Sequence, residues 1–109
     1  MPYIDPKYRT RLDPAVDTLA EQIMSCAREA GGDAAFAGFM NYSCTRLAMA
    51  VVRGLFGGVK YWIIALVSGT FQNIADEFYR RVGTPYEEKQ IKKSGDVDYY
   101  EEFNRKLGA

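Results

Sequence analysis

Apolar positions recur at helical spacing along most of the chain, and no run alternates with the period of two that a half-buried strand requires. Val16, Leu19, Ala20, Ile23 and Ala27 form one such stripe. Asp13-Pro14 opens it, an N-cap residue followed by proline at the first helical position, and Gly31-Gly32 closes it. Asp5-Pro6 repeats the start signal and predicts a short turn through Lys7, Tyr8 and Arg9, so that residues 1–12 form an N-terminal arm.

Asp33 is placed to cap a second helix that runs to about Gly54. Its main core face is Phe36, Phe39, Met40, Ser43, Leu47, Ala50 and Val51. At 100° per residue the opposite side collects Asn41, Thr45, Ala48 and Val52, which are neither charged nor large and predict a second protein contact. Tyr42, Arg46, Met49 and Arg53 share a third flank.

Glycines at 54, 57 and 58 break the pattern, and a third helix is predicted over 59–82. Ile64, Phe71, Ile74, Phe78 and Val82 form its apolar sector. A neighbouring sector begins as Trp62, Leu66 and Thr70 and continues as Asn73, Glu77, Arg80 and Arg81. That change of character predicts a cleft or an interface at its far end, or a helix that protrudes beyond its partner. Thr84-Pro85-Tyr86-Glu87 reads as a capping box that turns the chain sharply into a short basic helix through Lys93, which Ser94-Gly95 stops. Asp98 with Glu101 starts a last helix through Tyr99, Tyr100, Phe103 and Leu107. The expected fold is a single all-α domain, a small bundle or hairpin with two long central helices. Its parts are the arm 1–12, a helical core 14–83 and short C-terminal helices 85–107, and it is expected to be oligomeric.

Composition narrows the partners. Hydrophobic residues at 48% exclude a disordered chain. Fourteen basic and fourteen acidic residues cancel, so no global field draws the chain to nucleic acid. The apolar runs 47–52 and 55–67 are interrupted by Arg53 and Lys60 and fall short of the ~20 residues of a spanning helix. With no basic-then-apolar start, the chain is expected in the cytoplasm without a membrane partner. Cys26 and Cys44 then read as small core residues.

The absence of histidine removes the commonest general base and metal ligand. No phosphate-cradling glycine motif occurs. Of the acidic groups Asp76-Glu77, Glu87-Glu88 and 96–102, the last is superficially calcium-like but lacks the glycine and final glutamate of the loop and reads as helix capping, so neither a metal nor another cofactor is expected, and the chain reads as non-enzymatic. Binding groups are better supplied. Arg46, Arg80 and Arg81 could fork onto phosphate, Tyr42, Tyr79 and Tyr86 could stack on a base, and Asn41, Thr45, Asn73 and Glu77 could orient polar edges. Arg81, four residues after Glu77, is equally placed to be only its ion-pair partner.

The opening Met-Pro-Tyr-Ile, the Asn41-Tyr42-x-x-Thr45-Arg46-Leu47 motif and Glu77-Phe78-Tyr79-Arg80-Arg81 with Pro85-Tyr86-Glu87 and Gly95-Asp96-Val97 resemble a family of small uncharacterised helical proteins of phages and prophages. The likeness implies a phage-infected or lysogenic bacterial cytoplasm. In that setting a helical homo-oligomer with arginine and tyrosine clusters would sequester a nucleotide-like signal, such as a cyclic nucleotide or cyclic ADP-ribose, without breaking a bond. The alternative is a structural or protein-interaction module, such as an adaptor that inhibits a host protein.

Overall fold

The computed structural model describes residues 3–108. Among them every regular element is helical, and the fold is all-α. The order is α1 (Pro6–Ala30), a 3₁₀ turn (Asp33–Ala35), α2 (Phe36–Phe56), α3 (Tyr61–Phe78), a π turn (Tyr79–Gly83), α4 (Thr84–Ser94) and α5 (Asp98–Gly108). The chain divides into two compact units, one ending at Thr70 and one beginning at Phe71.

In the first unit, α1 begins at the earlier of the two expected starts. Asp5 Oδ1 accepts from the Lys7 amide at 3.0 Å, and Pro6 follows as the first helical residue. The helix then runs straight through Asp13-Pro14, so the separate arm and the second start are corrected: residues 6–12 belong to α1. Nothing between Arg9 and Asp13 stops a helix, and an interior proline removes one backbone bond without ending a helix whose two flanks both propagate.

Gly32 carries φ +113° and donates to the Ala27 carbonyl at 3.0 Å, which turns the chain toward α2, packed against α1. Asp33 does not cap α2. It lies in the 3₁₀ turn, and neither that turn nor α2 has a side-chain cap. At the far end Gly57, left-handed at φ +74°, donates to the Arg53 carbonyl, ending α2 two residues beyond the expected point. Phe56 meets Trp62 edge to face with centroids 5.3 Å apart, which pins the α2–α3 joint.

In the second unit the expected sharp turn at Thr84 is absent. Gly83 and Thr84 are both right-handed helical, and the Thr84 amide donates to the Tyr79 carbonyl, five residues back. Pro85 has no N–H to offer the Arg81 carbonyl, and the wide π turn accommodates that missing bond where a cap was expected. Gly95, at φ +84°, ends α4 as expected, and α5 starts at Asp98, whose Oδ1 accepts from the Tyr99 amide.

Burial departs most from expectation. Among the described residues only Ala27 and Ile63 are buried, both in the first unit. The face of α2 read as core is uncovered at Phe36, Met40, Leu47 and Val51, and the α3 sector is uncovered at Ile64, Phe71, Ile74 and Phe78. Cys26 is exposed and Cys44 half-buried, both as free thiols, so neither is the buried core residue that was expected. No helix among the described residues is long and apolar enough to cross a membrane.

Candidate functional site

Within the first unit α2 and α3 line a groove of about 630 Å³. From α2 it is lined by Tyr42, Thr45, Arg46, Ala48, Met49, Ala50, Val52 and Arg53. The α3 side contributes Ile63, Ile64, Val67 and Ser68. The lining is mostly apolar because these helices contain no carboxylate at all between Asp33 and Asp76. Arg46 and Arg53 consequently have no ion-pair partner among the described residues. Thr45 is committed locally, its hydroxyl donating to the Asn41 carbonyl at 2.7 Å, which leaves it an acceptor toward the groove. The groove can therefore hold an apolar body with negative or acceptor groups at its arginine side.

A second cluster lies in the other unit. Glu77, half-buried, pairs with Arg80 one turn on and with Arg81 Nη1 at 3.7 Å. Tyr79 lies across the π turn: a Cβ built on Gly83 would stand 2.8 Å from its Cδ2. Helix propensity alone makes Gly→Ala worth about 0.5–1 kcal/mol in a helix. That gain is expected from Gly83→Ala only in a Tyr79→Ala background, with a net loss when the tyrosine is present. A double-mutant cycle read by chemical denaturation checks it, and additive effects would separate the ring from the glycine.

Of the expected ligand-binding residues, Tyr42, Thr45 and Arg46 line the groove, with Asn41 beside them through its carbonyl. Glu77, Tyr79, Arg80 and Arg81 gather at the π turn, with Arg80 and Arg81 already on Glu77. Asn73 and Tyr86 are exposed in the second unit. The reading by residue type did not single out Met49, Val67, Ser68 or Arg53 as site residues. The signal for Met49 and Arg53 was the flank of α2 that they share with Tyr42 and Arg46, whereas nothing in the pattern of α3 marked Val67 or Ser68. Gly83 was also missed, although a glycine two residues before a proline marks a place where helix geometry changes. Among the described residues no group of three or more acidic, cysteine or histidine side chains is placed to hold a metal ion.

A family model described as a domain of unknown function, DUF6899, matches residues 1–97. Neither the curated proteins nor the solved structures compared with the chain give a match.

Proposed function

Because the chain belongs to this family, whose description carries no activity, we propose from its surface that it is a non-enzymatic interaction module that works as a homo-oligomer. One observation carries the reading: the apolar faces that its sequence marks as core are uncovered in the single chain. Phe36 is 51%, Met40 45% and Leu47 57% exposed. Helices of this length draw most of their stability from burying one face, and contiguous apolar surface of this kind marks an interaction site.

Sedimentation and far-UV circular dichroism over a dilution series test it. Assembly at micromolar concentration with helicity that falls on dilution is expected, since folding and association are then linked. A fully helical monomer at every concentration overturns it.

A second reading, sequestration of a nucleotide-like ligand in a phage-infected or lysogenic bacterial cytoplasm, is supported by Tyr42, Thr45, Arg46 and Arg53 sharing one groove without a carboxylate. Native mass spectrometry with cyclic nucleotides and cyclic ADP-ribose isomers is expected to show an adduct that Arg46→Ala removes. Recovery of every candidate unbound removes this reading.

A further inference from the structure

The uncovered face of α2 is ordered by size as well as by polarity. Phe36, Met40, Ser43, Leu47, Ala50 and Gly54 follow one another at spacings of four and three, the seam of two helices packed side by side. Large residues stand at 36, 40 and 47, and small ones at 43, 50 and 54. Gly54 opens onto free space, with nothing within 4 Å of where a Cβ would stand.

We propose that α2 pairs antiparallel with α2 of a second copy, about a two-fold axis that crosses the seam between Ser43 and Leu47. The proposal rests on the homo-oligomer reading above and names its interface. In that register Phe36 meets the partner's Gly54, Met40 meets the partner's Ala50, and Leu47 meets the partner's Ser43, each contact occurring twice. Every large side chain faces a small one, which is how a close-packed seam avoids both voids and overlap. An in-register parallel pair would set Phe36 against Phe36 and Gly54 against Gly54. The contact is self-complementary, as a two-fold interface must be.

The occupant is argued from size and charge. Phe36, Met40 and Leu47 are 51%, 45% and 57% exposed in the single chain, and the pairing covers all three in each copy. Between Asp33 and Asp76 there is no carboxylate, so side-chain size rather than ion pairing sets the register. Arg46 lies on one flank close to its mate across the axis. That like-charge approach is screened by salt, so association tightens as ionic strength rises. Cys44 lies on the opposite flank, close to its own mate.

Cys44 is thus a built-in probe. In Cys26→Ser protein a short bis-maleimide is expected to join Cys44 to Cys44 of a second copy. A parallel pair would hold the two thiols on opposite sides of the seam. If the protein sediments as an oligomer but does not cross-link, the seam is overturned and self-association stands. A wild-type monomer overturns both. A size exchange gives an independent reading. Ala50→Met, which opposes two methionines, is expected to weaken association about tenfold or more, and adding Met40→Ala to recover it to within a few-fold. Failure of the double variant to recover overturns the register.

Discussion

Leu47→Asp is expected to leave the protein monomeric, with association weakened at least ~100-fold and helicity reduced at concentrations where the wild type is assembled. Leu47 is 57% exposed in the single chain and stands one residue past the centre of α2, so an aspartate there enters the proposed seam twice and has no cation on its own face to meet. A carboxylate taken out of water without a partner carries a penalty of several kcal/mol per copy. Met49→Asp makes the control. Met49 is as open as Leu47 but lines the groove, with Arg46 and Arg53 nearby, and its replacement is expected to leave the sedimentation profile unchanged. Equal loss of assembly in both variants would show that the effect is one of general polarity and not of the α2 face.

The other large effect is expected inside the groove. Ile63 is 3% exposed, the one large side chain buried among the described residues, and it sits in the first turn of α3 with its amide donating to the Lys60 carbonyl. Ile63→Ala removes three carbons from a buried site that borders the groove. A loss of about 2–4 kcal/mol is expected, against about 1 kcal/mol for Ile63→Val. Urea denaturation at one fixed protein concentration measures both, since association contributes to apparent stability. Similar losses for the two variants would mean that Ile63 does not anchor the α2–α3 joint.

How much of this could be read beforehand differs by element. Helix ends set by glycine were legible at Gly31-Gly32 and Gly95, because positive-φ glycine conformations are local requirements that little else satisfies, whereas α2 passes Gly54, where its end was expected, and stops at Gly57. Proline start signals were less dependable. Asp5-Pro6 opens a helix, whereas Asp13-Pro14 and Thr84-Pro85 sit within continuing helical backbone. Proline states which bond is missing, but the flanking turns decide whether the helix tolerates the loss, as α1 does, or widens locally, as at the π turn. Periodicity identified which faces of α2 and α3 are apolar and was silent on what covers them, since a stripe bound for a partner copy has the same spacing as one bound for the chain's own core. The groove was half legible through the uncharged Thr45, Ala48 and Val52 side. The Glu77 pair with Arg81 followed from its spacing of four, while the added pairing of Arg80 needed the coordinates.

The π turn makes the segment after it answer to a different angular reference. An α-helix advances about 100° per residue, so one wide turn carrying an extra residue rotates everything downstream by about that amount relative to an uninterrupted helix. The lysines of α4, Lys89, Lys92 and Lys93, consequently point where an unbroken continuation of α3 would not have aimed them. Gly83 and Pro85 act together as a phase lock, the one admitting the Tyr79 ring and the other withholding the amide that a regular helix would need. Deleting Gly83 would therefore reset the azimuth of the whole basic helix while leaving its composition, length and charge almost unchanged.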